Sequence, residues 1–260
     1  GCEFVGGLYA NLAEAAHAAA EDASLIIRNA TYFGPLWVSE HVPTISLLQD
    51  IIPDGEIRKM QEEVIRSSCA VVFNSNFTAS KYGSYIAASE GTLGVKDVPP
   101  DVLYHAIPLP VDFSLFEPQN AMGCQQALGL PNGCVCWIGA QTPIKGWDTF
   151  LSIVRVNPDI PFVGVFKDAP PAYGPPNLRM YSRLPHERLV EVIGACRVGL
   201  CTSHMESQHL AGIEMGACGL PMVAPPVGVY WKNDDLPGIV VFEPTPQAYT
   251  TAIRARLKQP

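Results

Sequence analysis

The sequence predicts an α/β protein made of two successive doubly wound units. Three observations carry this. Short apolar runs of strand length alternate with helical segments, the rhythm of βαβ units and mainly parallel sheets. Hydrophobic residues make up 48% of the 260 residues against 16% charged, which suffices for a core and excludes a mainly disordered chain. One Pro-rich passage over residues 95–118 (Val98-Pro-Pro, Ile107-Pro-Leu-Pro-Val-Asp112, Phe116-Glu-Pro118) interrupts that rhythm. It is the expected crossover. Residues 1–110 and 111–244 are then the two α/β domains, and 245–260 a closing helix.

The elements follow in order. Residues 10–20 are Ala-rich and helical by propensity. Ser24–Asn29, Thr44–Asp50 and Ala70–Ser75 are apolar runs read as strands. Between the last two, Glu56–Ser68 is polar, with Met60, Val64 and Ile65 as an apolar helical stripe. After the crossover come strands at Val135–Ile138, Pro161–Phe166, Leu178–Tyr181, Val198–Cys201, Pro221–Ala224 and Ile239–Phe242. Helices are expected at Trp147–Val156, His186–Gly194, Leu210–Cys218 and Gln247–Lys258. In such sheets ligands bind beyond the carboxyl ends of the strands. That points to Arg28 and Asn29, Gln49 and Asp50, Asn74 and Ser75, Gly139 to Lys145, and Thr202 to Leu210.

Charge narrows the functional classes. With 17 Lys and Arg against 25 Asp and Glu, the formal charge is −8, the reverse of the basic footprint that nucleic-acid binding needs. The deficit falls on residues 1–116, which hold 6 basic and 14 acidic side chains, while 117–260 hold 11 of each. An acidic first half also disfavours an anionic membrane surface as partner. Uncharged stretches at 118–144 and 215–231 are too polar or too rich in proline to span a bilayer. The start, Gly1-Cys2-Glu3, lacks the basic residues of a secretion signal. The eight cysteines lie mostly in apolar contexts, and Cys134-Val-Cys136 is not a paired zinc motif. Reduced thiols in the cytoplasm and no metal are the expectation.

The chemistry concentrates in Thr202-Ser-His-Met-Glu206-Ser-Gln-His-Leu-Ala-Gly-Ile-Glu214. Eight residues on one helix turn by about 80°, so Glu206 on the preceding loop and Glu214 on the helix are placed to meet one ligand at different heights. The free N–H groups near Gln208, His209 and Leu210 suit an anion. Amides for a diphosphate beside carboxylates that accept from hydroxyls suit a sugar nucleotide. Spacing alone is a weak signal, since two glutamates eight apart occur in many helices.

The surroundings add more. Glu206-x7-Glu214, followed by Ala217-Cys-Gly-Leu-Pro-Met-Val-Ala224, resembles the retaining glycosyltransferases of family 4, whose GT-B fold joins two Rossmann-like domains. Trp137-Ile-Gly139-Ala-Gln-Thr-Pro-Ile-Lys145-Gly is similar to their Gly-Arg…Lys-Gly loop. Met180-Tyr-Ser-Arg-Leu-Pro-His-Glu-Arg-Leu189 is similar to the segment whose backbone meets the nucleotide base. His105–Asp112 with Phe116-Glu-Pro118 is similar to the linker, and Ser46–Pro53 and Val72–Phe77 to late strands of the acceptor domain. The resemblance covers about residues 24–258 and is stronger after residue 102.

It implies transfer of a sugar from a UDP-, GDP- or ADP-linked donor to a hydroxyl of a soluble sugar or other small acceptor, with retained anomeric configuration and no obligatory metal or cofactor. Glu206 would hold donor-sugar hydroxyls and Lys145 would neutralise the departing diphosphate, as the two catalytic candidates. Gly139, Gln141, Lys145, Arg183, Leu184, His209, Leu210 and Glu214 would bind the donor, with Glu214 on the ribose. Asn29, Gln49 and Asp50 would face the acceptor.

Departures from the family pattern motivate an alternative, a degenerate GT-B module that binds nucleotide without efficient transfer. The family's loop arginine is Ala140 here. Its Gly-Phe-Gly is Ser207-Gln208-His209. Its acceptor-side histidine is Gln49, which hydrogen-bonds but cannot act as a base. Only 23 residues precede Ser24, so the first domain is expected to be reduced, or its missing part to lie on another chain in an oligomer or to have been removed.

Overall fold

A computed structural model describes residues 23–29, 42–51, 59, 61, 64–82, 84–86, 93–95, 103–232 and 238–259. The helix expected at 10–20 lies outside them, and so does much of Glu56–Ser68, of which residues 59, 61 and 64–66 are helical. The chain divides into two compact units, one up to Pro108 and one from Leu109.

The first unit carries a four-stranded parallel sheet of β1 (Ile26–Asn29), β2 (Thr44–Leu48), β3 (Ala70–Phe73) and β6 (Leu103–Ala106), in the order β1-β2-β3-β6. Leu48, Val64, Ile65, Val71, Phe73, Ala79 and Tyr82 form its core. After β3, Ser75 caps α1 (Asn76–Lys81) by accepting the Thr78 N–H at 3.0 Å. An antiparallel pair, β4 (Ser84–Ile86) and β5 (Leu93–Val95), follows.

Strand β6 corrects the reading of 95–118 as pure crossover. Leu103 to Ala106 pair in register with Ala70 to Phe73. The strand hid because its burial alternates only between exposed and half-buried and Leu103 is 64% exposed. With prolines on both sides, nothing marked it as core.

The second unit has a six-stranded parallel sheet in the order β12-β11-β10-β7-β8-β9. Its strands are β7 (Cys134–Ile138), β8 (Phe162–Phe166), β9 (Leu178–Ser182), β10 (Cys196–Leu200), β11 (Met222–Ala224) and β12 (Gly238–Val240). Both faces are covered, so the central strands are apolar throughout. On β7, Cys134 and Cys136 enter one core, with Leu189, Val190 and Ile193 of α4 (His186–Gly194) and Met215 of α5 (Leu210–Ala217). Val135 and Trp137 enter the other. There they meet Phe150 and Ile153 of α3 (Trp147–Val156) and Tyr249 and Ile253 of α6 (Pro246–Leu257). This period-two split on one strand is what makes the sheet doubly wound.

Helix α2 (Ala121–Leu128) was not legible in sequence. It buries no residue fully, so it carries no clear apolar stripe, although Asn120 caps its start and Gly129 at φ 61° ends it. Among the described residues, no helix is long and apolar enough to cross a membrane.

Candidate functional site

In the second unit the candidate residues gather beyond the carboxyl ends of β7 and β10. After β7 the chain turns at Gly139, where a Cβ would lie 2.8 Å from the Trp137 ring. A short 3₁₀ turn, Pro143–Lys145, then leads into α3 through Gly146 at φ 65°. A Cβ on Gly146 would fall 1.9 Å from the Thr202 carbonyl oxygen, so only glycine lets the two loops meet. They are stitched together there. The Thr202 hydroxyl donates to the Lys145 carbonyl at 3.0 Å and accepts from the Trp137 indole at 3.0 Å. The His204 N–H donates to the Ile144 carbonyl at 2.8 Å.

This stitching sets Lys145 against Glu206. The ammonium reaches both carboxylate oxygens, Oε1 at 2.7 Å and Oε2 at 2.8 Å. The Ser203 hydroxyl adds a donor to Oε1 at 2.7 Å. Side-chain exposure is 35% for Lys145 and 8% for Glu206, so a nearly buried carboxylate is neutralised by a cation that still reaches solvent.

His209 sits beside this pair. Its backbone is left-handed, φ 71° and ψ 64°, at the position just before α5. The ring is buried, and Nδ1 lies 2.8 Å from the Tyr230 hydroxyl. Burial, opposed by Glu206 and aided by Lys145, pushes its pKa down to about 4. The imidazole is therefore neutral at physiological pH. Burial pushes Tyr230 well up, so it stays a phenol.

Cys201, Glu206 and His209 each bring a potential metal-ligand atom within 4.8 Å of the others. The trio is engaged within the protein. Lys145 already covers both Glu206 oxygens, and burial holds the Cys201 thiol up at about 12 and hence protonated.

Other expected residues stand as follows. Glu214, half-buried on the first turns of α5, has its pKa raised by burial, partly offset by His186. Its carboxylate has no hydrogen-bond partner among the described residues. Leu210 is 38% exposed at the foot of the same helix. Arg183 follows β9 with φ 52°; its N–H donates to the Phe166 carbonyl at 3.0 Å and its side chain is exposed. Leu184 is half-buried against the core. Gln141 points elsewhere, its amide donating to the Ala169 carbonyl at 2.9 Å. Gln208 is also committed, exchanging hydrogen bonds with the Leu109 backbone at 2.7 and 3.0 Å.

Asn29, Gln49 and Asp50 belong to the first unit, at or just after the ends of β1 and β2. The Gln49 carbonyl accepts from Asn74 at 2.8 Å, and burial raises the Asp50 pKa. Arg28 does not present itself to a ligand. Its guanidinium clamps Ser46 Oγ at 2.6 Å, the Val64 carbonyl at 2.8 Å and Ser67 Oγ at 2.9 Å. Sequence reasoning missed Ser203, Thr202 and Tyr230. Only the first two sat inside a stretch already singled out; Tyr230 follows a Pro- and Gly-rich loop with no motif of its own.

No protein-family model matches the chain. Curated proteins that resemble it include two D-inositol 3-phosphate glycosyltransferases. The one from Segniliparus rotundus is 26% identical over 241 residues, covering 84% of this chain and 51% of that protein. The one from Mycolicibacterium gilvum is 27% identical over 233 residues, covering 82% and 50%. The chain thus spans about half the length of the curated relatives it matches. Among solved structures, Anabaena HepE in complex with UDP aligns at TM-score 0.72 and 16% identity, over 94% of this chain and 71% of that one. Sucrose-phosphate synthase from Thermosynechococcus elongatus aligns at 0.71 and 17%, over 95% and 68%. HepE has also been solved with UDP-glucose, aligning at 0.65 and 16% over 95% and 76%. These likenesses show that the two parallel-sheet units form a GT-B-type fold.

Proposed function

From its homology to the GT4-type retaining glycosyltransferases, we propose that this chain binds a nucleotide-diphosphate sugar on its second unit and transfers the sugar to an acceptor hydroxyl with retained configuration. The observation that carries the reading is the Lys145–Glu206 pair. It places a solvent-reaching cation and a nearly buried carboxylate at the carboxyl end of a doubly wound sheet.

In the resting site each of the pair satisfies the other. An incoming diphosphate offers Lys145 a second anion, and donor-sugar hydroxyls offer Glu206 new protons to accept. As the bond between the sugar and the diphosphate breaks, negative charge grows on the leaving phosphate oxygen. The Lys145 ammonium and the unbonded N–H groups at the start of α5 stabilise that charge. The acceptor oxygen then bonds to the anomeric carbon, and the acceptor proton leaves with the released diphosphate or with solvent. Glu214, half-buried and without a hydrogen-bond partner among the described residues, accepts from the ribose hydroxyls. Arg183 presents its exposed side chain beyond β9. The base meets the backbone near Leu184, and Asn29, Gln49 and Asp50 serve the acceptor. No metal takes part in this scheme; Lys145 fills that electrostatic role.

The test is release of nucleoside diphosphate on incubation with UDP-, GDP- and ADP-sugars in the presence of small polyol and sugar acceptors. Release that disappears in both Glu206→Ala and Lys145→Met supports the reading. Binding without release for every donor would instead support a nucleotide-binding module that does not transfer efficiently, a reading favoured by Gln141 being tied to Ala169 and Ala140 carrying no charge.

A further inference from the structure

His209 has two ring nitrogens and one hydrogen-bond partner. Nδ1 meets the Tyr230 hydroxyl at 2.8 Å, and Nε2 has no partner among the described residues. The side chain is only 7% exposed. On a side chain this enclosed, a ring nitrogen with no described partner is placed to meet a ligand atom rather than bulk water.

The backbone indicates that this side chain is not incidental. At φ 71° a non-glycine residue sits in a region that costs about 1–2 kcal/mol. Space has also been cleared for the ring. A Cβ on Gly212 would lie 1.8 Å from the Tyr230 hydroxyl and 2.3 Å from His209 Nδ1. Positions 209, 212 and 230 therefore interlock: the imidazole and the phenol meet only because residue 212 has no side chain.

The neighbourhood sets the kind of ligand. A His209 ring nitrogen lies within 4.8 Å of a Glu206 carboxylate oxygen. The Glu206–Lys145 ion pair is close to neutral as a unit, and the imidazole adds no charge. A second phosphate there would face the carboxylate with no cation of its own. An uncharged hydroxyl suits the pair better, because the carboxylate accepts its proton while an N–H donates to its oxygen.

We propose that Tyr230 donates its O–H to Nδ1, so fixing His209 as the Nε2–H tautomer, and that this N–H and the Glu206 carboxylate together grip one hydroxyl of the transferred sugar. The proposal rests on the glycosyltransferase reading and deepens it. It makes His209 a specificity residue for the sugar half of the donor, with Tyr230 as its positioning residue.

The experiment compares UDP-glucose with UDP by calorimetry, in wild type and in His209→Gly. GDP-glucose with GDP and ADP-glucose with ADP are the alternative pairs if the base differs. Glycine adopts the backbone of residue 209 without strain, and retained binding of the diphosphate shows that the variant is folded. Loss of one buried hydrogen bond predicts about a tenfold fall in nucleotide-sugar affinity. Affinity for the diphosphate alone should stay within about twofold. Tyr230→Phe should lower nucleotide-sugar affinity about threefold by releasing the tautomer. Among monodeoxy-glucose donors, one should bind wild type about tenfold more weakly than the parent sugar and show no further loss in His209→Gly.

Unchanged nucleotide-sugar affinity in His209→Gly overturns the proposal and leaves the parent reading standing. So does an equal fall for the sugar and for the diphosphate, which would place the contact on phosphate. Failure of wild type to bind any of the three nucleotide-sugars overturns both readings together.

Discussion

Replacing Lys145 with methionine keeps most of the stem and removes the charge. Among the described residues Glu206 then keeps one donor, the Ser203 hydroxyl on Oε1, and Oε2 has none. Breaking a fully buried ion pair by removing one partner costs about 3–5 kcal/mol. This pair is open on one side, with Lys145 35% exposed, so water reaches the orphaned carboxylate and the expected loss is about 2 kcal/mol. For a unit of this size that lowers Tm by about 4–8 °C. Glu206→Gln is milder, about 1 kcal/mol, because the released ammonium can turn to solvent.

The double variant decides the argument. If the two groups stabilise each other, Lys145→Met with Glu206→Gln should be less destabilised than the sum of the single changes by about 1 kcal/mol. Urea unfolding of the four proteins, followed by tryptophan fluorescence, measures this directly. Trp137 and Trp147 report, lying 5.6 Å apart beside the loop that carries Lys145. Additivity within about 0.3–0.5 kcal/mol would refute the pair as an energetic unit. It would also undo the view that each of the pair satisfies the other in the resting site.

Other expectations follow from the same geometry. Gly146→Ala combines a left-handed backbone with a Cβ 1.9 Å from the Thr202 carbonyl. It should lose about 2–5 kcal/mol in chemical denaturation, while Gly216→Ala, in open space on α5, should gain up to about 1 kcal/mol. The pH dependence of stability should show His209. With its folded pKa near 4 against 6.5 unfolded, the unfolded chain binds more protons, so stability falls as pH drops from about 6.5 to 4, by up to about 3 kcal/mol. Cys201, Glu206, Lys145 and Tyr230 surround the ring, and the wild-type minus His209→Gly difference across pH 4–7 isolates its share. Glu214→Ala should weaken UDP and UDP-glucose equally, by about tenfold, if the carboxylate serves the ribose; calorimetry with both ligands checks it. Arg183→Gly should raise stability by about 1 kcal/mol by relieving its φ of 52°, and lower affinity for the diphosphate, as unfolding and binding measurements on one preparation would show.

How much of this was legible in sequence depends on where each residue drew its signal. Helices α3 and α4 were readable to their ends because their apolar stripes face a core, with Phe150, Ile153 and Val154 buried on one and Leu189, Val190 and Ile193 on the other. The strands of the second sheet were readable because burial on both faces makes them continuous apolar runs. Helix α2 and strand β6 sit at the surface, and a surface element leaves no periodic trace. Lys145 and Glu206 were found as separate motif members, but 61 residues part them in sequence. Their contact depends on Gly146 approaching Thr202, which no local pattern announces. Gln141 shows the opposite failure. Its place in the loop matched the motif, yet the Ala169 carbonyl competes for its amide.

Backbone strain ties these points together. The second unit holds three described non-glycine residues at positive φ, Arg183, His209 and Lys232. Arg183 lies just after β9, and His209 lies in the loop between β10 and α5. Gly146, also at positive φ, lies in the loop after β7. Loops at the carboxyl ends of parallel strands must turn sharply to bring backbone near a ligand, and glycine does this at least cost. The chain uses glycine at 146, where any Cβ would strike Thr202. At 183 and 209 it keeps side chains that glycine would spare the strain, about 1 kcal/mol or more each. For His209 the structure supplies a compensating contact, the Tyr230 hydroxyl. That contact satisfies one nitrogen and holds the ring toward Glu206. It accounts for the orientation of the side chain and leaves Nε2 without a partner among the described residues, so the reason we infer for histidine there lies in what binds.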